Sequence, residues 1–562
     1  MMARLGKLLM LFLTFVISFP ASGAGVNATN ASMEFLNKHN VLESAQVETY
    51  QRLAIDIQMR DGKKLAADLY STDTKTKKPT ILIQTPYDKS MYWTQFKMRI
   101  PFSVSDYNVV ILDWRGRFAS KPAQSAKSNT GKDGYDAVEW IAKQSWSNAK
   151  IGTYGGSALG DVQFKTASYN PPHLVCAVPM VKDFKVAYEE FYFGGEFRKE
   201  QTESLQKLDF FKVSDILAQP IYNQFWKTVE NKSDISSKVK VPMLMISGWF
   251  DLYPDLVLRA FADIQTRSDA KVKRLHKLVF GPWQHGHLNE KEQGILNFAN
   301  AEGFGDAQVI KFMDFYLLGK KNKWEETPTV QYYQMGDETW ENAKSWDSIP
   351  RSDVSYYLNA NNSLTADKPT ADTKPISYAY DPGDPTPSRG GKRFDPSKPN
   401  LVAGPQDQRT LESRKDVLVF TSQALSGDLK INGLIKARLF FSSNRKDTDI
   451  SVKFCDVYPD GKSVLMAEGI QRARFRDSLE KEELLTPDVA YQIDVKLQNI
   501  ALTIKKGHKI RVLVSSASYP IFEKNLNNGD KLYSDKTVLV ATNTVKYGKD
   551  TLSCIVLPIL KE

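Results

Sequence analysis

Cysteine, histidine and long apolar runs are all scarce in this chain of 562 residues. The three cysteines, Cys176, Cys455 and Cys554, are odd in number and widely spaced, with no CxxC pair. That excludes a disulfide framework and a cysteine-built zinc site. Cys176, in the apolar run HLVCAVPMV, reads as a buried thiol, and pairing of Cys455 with Cys554 is left open. Among six histidines, His285-x-His287 is a close pair with no third ligand nearby, so no metal is expected, and the serine chemistry read below calls for no organic cofactor. Charge of one sign is also lacking: 75 basic residues face 65 acidic ones, without a run of five or six like charges. The net charge of +10 is then a mildly basic, solvated surface, and no nucleic-acid partner is expected. One apolar run stands out, Leu8 to Phe19, shorter than the roughly 20 residues of a spanning helix. Arg4 and Lys7 precede it, and Pro20 and ASGAG come after it. This is the pattern of a secretory signal peptide, residues 1–24, with cleavage near Gly23 or Ala24. The expectation is an exported protein, periplasmic or extracellular, without a stable membrane anchor.

What is present is a change of rhythm along the chain. After the hairpin-like LAIDIQMRDGKKLAADLYST come TILIQTPYD, NVVILDWRG, AKIGTYGGS, LVCAVPMV, VPMLMISGWFD and KLVFGPWQHG. These short apolar runs without period-2 alternation suit parallel strands buried on both faces. Helical stretches lie between them, such as DGYDAVEWIAKQ, which Asp133 can cap. The alternation implies an α/β fold over residues 45–326. The rhythm breaks over 184–240, which is rich in aromatics and charges and reads as a helical cap inserted between two strands. From 327 to 562, alternating strands such as KARLFFSS and HKIRVLVSSA imply an all-β jelly roll. A long Pro/Gly-rich loop, AYDPGDPTPSRGGKRFDPSKPN, interrupts it.

Chemistry centres on IGTYGGSALGDVQF, where Ser157 stands between a strand and a helix. A strand–turn–helix with flanking glycines lifts a serine Oγ above the sheet edge, and the Ala158 N–H at the helix start can stabilise an oxyanion. The motif departs from G-x-S-x-G, because Leu159 occupies the second glycine's place and Gly160 comes one position later. A structural glycine turn remains open on this stretch alone. Asp251 and His285 then fall just past later strands, in the order serine, acid, histidine of an α/β-hydrolase. Asp255 is the alternative acid and His287 the alternative base.

Five ordered motifs, TPYDKS, LDWRGRFAS, GTYGGSALGDVQ, SGWFDLY and GPWQHG, resemble the CocE/NonD hydrolases of the wider Xaa-Pro dipeptidyl-peptidase (S15) superfamily. The resemblance spans nearly all the chain after residue 24. It implies an α/β-hydrolase domain with a helical cap insertion, followed by the jelly roll. It further implies Ser157 as nucleophile, Asp251 as acid, His285 as base, and an oxyanion hole of the Tyr87 hydroxyl and the Ala158 amide. Asp113 and Arg115 match a family D-x-R-G and are expected to pair. Ala158 stands where the family usually has tyrosine, and Leu252-Tyr253 stand where ester hydrolases selective for α-amino acids carry acidic residues. The expected activity is hydrolysis of a small-molecule ester or amide. An Xaa-Pro dipeptidyl peptidase is the alternative enzyme, and an inactive scaffold binding carbohydrate or protein the alternative of another class. A homo-oligomer is left open.

Overall fold

The computed structural model describes residues 51–91, 100–101, 105–126, 128–398, 400–533 and 537–561. The expected signal peptide, 1–24, lies outside them. The chain opens with the antiparallel pair β1 (Gln51–Gln58) and β2 (Lys64–Ser71), turning at Asp61-Gly62, where Gly62 takes φ 81°. Next come β3 (Lys78–Thr85), β4 (Asn108–Asp113), α1 (Thr130–Ala142), β5 (Ser147–Gly156), α2 (Ala158–Ser168) and β6 (Leu174–Met180). The segment after β6 carries α3 (Tyr188–Phe191), the small hairpin β7 (Tyr192–Phe193) and β8 (Glu196–Phe197), then α4 (Lys199–Lys207), α5 (Val213–Leu217) and α6 (Gln224–Ser233). It has its own core, in which Tyr188, Phe191, Tyr192, Phe197, Ile216 and Trp226 are buried together. β9 (Leu244–Phe250), α7 (Pro254–Arg267), β10 (Lys277–Gln284), the short pair β11 (Glu292–Gln293) and β12 (Leu296–Asn297), α8 (Phe304–Met313), β13 (Val330–Gln334) and β14 (Thr339–Ala343) complete this half.

Among the described residues the first sheet has ten strands in the order β1-β2-β4-β3-β5-β6-β9-β10-β13-β14. Its centre, from β4 to β13, is parallel, and β3, β4, β9 and β10 are buried at every position. Burial on both faces explains why these strands read as unbroken apolar runs.

The C-terminal half is all β: β15 (Arg351–Asn359), β16 (Ser363–Thr365), β17 (Ile376–Tyr380), β18 (Leu418–Ser422), β19 (Leu429–Ser443), β20 (Asp449–Val457), β21 (Ser463–Arg472), β22 (Tyr491–Ile504), β23 (Lys509–Ser515), β24 (Ala541–Lys546) and β25 (Cys554–Leu560). Pairing is antiparallel throughout except β16 with β18. β22 stitches the two halves together. Met335 N donates to Ala501 O (3.2 Å) and Thr503 N to Met335 O (2.7 Å). Gln498 Nε2 reaches Trp249 O (3.1 Å), and Asn499 donates twice to Asp255 (3.0 and 2.6 Å).

Two local expectations are corrected. Asn129, not Asp133, caps α1, accepting from Lys132 N at 3.0 Å. Asp133 instead forms a two-point ion pair with Arg115, whose Nε and Nη2 reach it at 2.9 and 2.7 Å. Asp113 therefore does not pair with Arg115; its carboxylate accepts from the backbone N–H of Lys89 (2.7 Å) and Ala119 (3.1 Å). Neighbours at a strand end face different ways, so the charge partner came from a helix 18 residues on. All three cysteines are buried free thiols. Among the described residues no helix is long and apolar enough to cross a membrane.

Candidate active site

Between β5 and α2 the chain makes a sharp reversal. Ser157 takes φ 58° and ψ −123°, a left-handed conformation that a non-glycine residue adopts only where its surroundings enforce it. The enforcement is visible. Ser157 N–H donates to Met180 O at 2.9 Å, tying the turn to β6. Gln163, buried on α2, donates through Nε2 to Gly155 O, Leu159 O and Val178 O (2.9–3.0 Å) and accepts from Val178 N (3.0 Å). Gly160 explains the shifted motif: a Cβ there would lie 2.8 Å from Met180 O, so only glycine lets α2 start this close to β6. Gly160→Ala is expected to destabilise the fold by about 1–3 kcal/mol, since backbone has to give way. Urea unfolding measures this directly. As first residue of α2, Ala158 has an N–H with no acceptor in its own helix.

Asp251 and His285 meet because of a register shift. β10 runs beside β9 with Gly281 opposite Gly248, but Gln284 opposite Phe250. One extra residue on β10 makes a bulge, which turns the strand's carboxyl end toward β9. The next residues along are then His285 and Asp251, and His285 Nδ1 lies 2.6 Å from Asp251 Oδ1. Glycines permit this closeness: a Cβ on Gly248 would sit 2.1 Å from Trp283 O. Asp251 is fully buried, and its Oδ2 accepts from Tyr253 N–H (3.2 Å) and Ser247 Oγ (3.3 Å). A carboxylate only accepts, so Nδ1 of His285 carries the hydrogen and a neutral ring keeps its lone pair on Nε2. The alternatives stand elsewhere. His287 Nδ1 is bound to Glu290 (2.7 Å), and Asp255 lies on α7 facing Asn499.

Ser157, Asp251 and His285 thus stand just past the carboxyl ends of β5, β9 and β10, on one edge of the parallel sheet. Tyr87 comes just after β3, the strand beside β5, and its ring meets Phe210 edge-on at 6.2 Å. Two aromatics that the sequence did not single out help enclose this region. Phe210 comes from the stretch between α4 and α5 and also contacts Trp114 (6.4 Å). Phe394 comes from the Pro/Gly-rich loop, and its ring meets His285 edge-on at 5.6 Å. Ion pairs from α4 flank it on both sides, Arg393 with Glu200 and Asp395 with Lys207 (3.0 Å). The only signal for Phe394 in the sequence is an aromatic within a loop composition.

Burial would raise the Asp395 carboxyl, but the Ser397 hydroxyl and the Lys207 ammonium hold it down at about 2. A depressed folded value means stability present above the unfolded value near 3.8 and lost as pH falls through about 2. The stability gap between wild type and Asp395→Asn should therefore close between pH 4 and pH 2, read from urea midpoints.

Comparison with known proteins places the chain in a family. The X-Pro dipeptidyl-peptidase (S15 family) matches residues 61–212 and 198–287, and the X-Pro dipeptidyl-peptidase C-terminal non-catalytic domain matches 322–553. Cocaine esterase from Rhodococcus sp. (strain MB1 Bresler) is 28% identical, covering 90% of this chain and 98% of its own length. An α-amino acid ester hydrolase structure superposes with TM-score 0.78 at 23% identity, over 96% of this chain and all of its own. An aminopeptidase from a marine sediment Thaumarchaeota archaeon does so at 0.79 and 22%, over 93% of this chain and 100% of its own. A CocE/NonD family hydrolase from Staphylococcus aureus does so at 0.66 and 21%, over 91% of this chain and 94% of its own.

Proposed function

Since the chain belongs to the CocE/NonD serine hydrolases of the S15 family, we propose that it cleaves a small-molecule ester or amide through an acyl-enzyme on Ser157. The observation that carries this reading is the Asp251–His285 hydrogen bond at the same sheet edge as the strained Ser157 turn. His285 Nε2 takes the Ser157 hydroxyl proton as Oγ attacks the substrate carbonyl. Asp251 holds the imidazole in the Nδ1–H tautomer and stabilises the imidazolium. The Ala158 N–H and the Tyr87 O–H donate to the oxygen that becomes negative in the tetrahedral intermediate. His285 then returns the proton to the leaving group, and afterwards activates the water that releases the acid. The helical segment of 184–240 and the Phe394 loop act as a cover over this site.

Esterase activity is favoured over release of N-terminal dipeptides. Recognition of a substrate ammonium needs an unpaired carboxylate near the acid loop. Leu252 and Tyr253 come directly after Asp251, while Glu189 and Glu190 of α3 are engaged by Arg259 and Lys182. The apolar run Leu8–Phe19 supports export as the location of this activity.

Treatment with a fluorophosphonate, then peptide mapping, tests the nucleophile. The adduct is expected on Ser157 and absent from Ser157→Ala. Folded protein that takes no adduct overturns the assignment. A panel of p-nitrophenyl esters, acyl amides and Xaa-Pro anilides then separates esterase from peptidase, and cleavage of the anilides alone would reverse the preference.

A further inference from the structure

The loop that leaves β10 carries His285, and it is held from outside itself. The pairing of β10 with β13 ends at Phe280. The loop's own backbone turns are long, His287 N–H to Gln284 O at 3.2 Å and Glu290 N–H to His287 O at 3.4 Å. Shorter bonds come from one side chain. Gln293 of β11 is fully buried; its Oε1 accepts from Gln284 N–H at 2.8 Å, and its Nε2 donates to His287 O at 2.8 Å and to Glu290 O at 2.9 Å. These points fall on both sides of His285. The amide can sit only one way, because the reversed group would set its oxygen against two carbonyls. Backbone bonds at the far end of the hydrogen-bond range hold little, so the Gln293 bonds carry most of the loop's order. Gln293 is itself anchored on the C-terminal half. In the β11–β12 hairpin it faces Leu296. Ile295 N–H, at the tip, donates to Pro405 O at 3.1 Å, and a Cβ on Gly294 would lie 2.2 Å from the same oxygen. Gly404 exchanges two backbone bonds with Gly391 (2.8 and 2.9 Å), just before Phe394, the ring that meets His285 edge-on at 5.6 Å.

We propose that Gln293 is a positioning residue for the hydrolysis: it fixes the loop on which His285 stands, and through that loop the direction of the imidazole. Asp251 holds Nδ1 at 2.6 Å, but one hydrogen bond fixes one point of the ring and not its plane. The backbone on either side of His285 has to fix the rest, or Nε2 does not aim at the Ser157 hydroxyl. Displacement by about 1 Å is enough to cost about a hundredfold in rate, even when its cause lies away from the chemistry. The contacts close into a ring, from the His285 loop through Gln293 and the hairpin to Pro405, then through Gly404 and Gly391 to Phe394 and back to the imidazole. In the proposed mechanism the C-terminal half supplies no reacting group, yet it seats the hairpin that seats the base. This role in catalysis rests on the hydrolase reading, while the brace on the loop does not.

Gln293→Met keeps the length and bulk of the side chain and removes its bonds to Gln284, His287 and Glu290. It is expected to lower kcat on a p-nitrophenyl ester about tenfold to a hundredfold, with KM within about twofold of wild type. Fluorophosphonate labelling at Ser157 should slow by the same factor. Gln334→Met is the comparison: Gln334 on β13 is also buried and donates to Thr503 of β22 (3.1 Å), at the junction of the two halves. It should lose stability in urea and keep kcat. A second readout needs no substrate. The hydrogen on His285 Nδ1, in a charge-assisted bond to Asp251, gives a downfield proton resonance. That resonance is expected to be the same in wild type and Gln334→Met, and shifted or broadened in Gln293→Met. A kcat within about twofold of wild type, an equal loss in Gln334→Met, or an unchanged resonance overturns the positioning role. Should Gln293→Met fail to fold, hydrogen exchange on the wild type decides: the Gln284 amide should be as slow as the amides of β10, and exchange at the rate of an open loop overturns the brace. A resonance that changes in Gln293→Met, in a protein whose Ser157 takes no fluorophosphonate, leaves the brace standing and removes the hydrolase reading instead.

Discussion

Asp251→Asn is expected to lower kcat by about 10⁴-fold while leaving KM nearly unchanged. The size stems from how the carboxylate is shared. Asp251 Oδ1 takes the hydrogen on His285 Nδ1, while Oδ2 accepts from the Tyr253 N–H and the Ser247 hydroxyl. An asparagine has one accepting oxygen, and the fixed Tyr253 amide claims it. Its NH₂ group then faces His285 Nδ1, which can meet it only as an acceptor. The ring hydrogen moves to Nε2, the nitrogen proposed to take the Ser157 proton, and the base is lost without any change of shape. Steady-state kinetics on a p-nitrophenyl ester measure the effect, with thermal unfolding as the control for fold. The rate of fluorophosphonate labelling at Ser157 should fall in parallel, because it needs the same proton transfer. A variant within tenfold of wild type would remove Asp251 from the proposed mechanism, and with it the reason for the bulge on β10.

That bulge marks where the sequence stopped being informative. The order of Ser157, Asp251 and His285 could be seen along the chain because Asp251 and His285 come after largely apolar runs, which strands buried on both faces produce, and Ser157 after the glycine-rich end of a third strand. The change to alternating patterns after residue 327 was legible for the complementary reason, in strands such as β19 and β22 that leave part of one face to water. Gly160 was visible as an irregularity, but its cause, the carbonyl of Met180, belongs to another strand. The extra residue between Gly281 and Gln284 leaves no compositional trace, since a bulge is a property of two strands' register. Phe394 and Phe210 lie in connecting segments, where no periodicity says which way a ring points. Asp133 failed as a cap because a buried guanidinium 18 residues away outcompetes a local amide for a carboxylate. In each case the missing piece was a contact distant in sequence.

Arg472→Met is expected to destabilise the protein by about 3–5 kcal/mol, through charges left without a partner rather than through lost packing. Arg472, at the end of β21, is 2% exposed and sits among carboxylates from both sides of the junction. It pairs with Glu196 of the β7–β8 hairpin and with Asp449 of β20 (3.0 Å). Asn525 bridges Asp449 to Asp447, which Arg474 holds at 2.8 Å. The hairpin is pressed close to β21 here: Arg472 N–H donates to Gly194 O at 2.9 Å, and a Cβ on Gly194 would lie 2.0 Å from Ile470 O. Water therefore has no room to replace the guanidinium. Burial and the nearby Asp449 already hold the Glu196 carboxyl well above its ordinary range, with Arg472 pulling it back. Without Arg472 that carboxyl rises further, which fixes the pH dependence. A folded value raised above the unfolded one means that stability is greatest at low pH and falls as pH rises past the unfolded value near 4.5. The deficit of Arg472→Met against wild type should accordingly be smaller at pH 5 than at pH 8 in urea unfolding. A deficit of the same size at both would mean that Arg472 acts by its volume alone. Loss of the hairpin's seat would also loosen the helical segment that carries Arg198 and Phe210, so partial unfolding of residues 184–240 should precede the main transition. Hydrogen exchange at the amides of α4 and α6 is the place to see it.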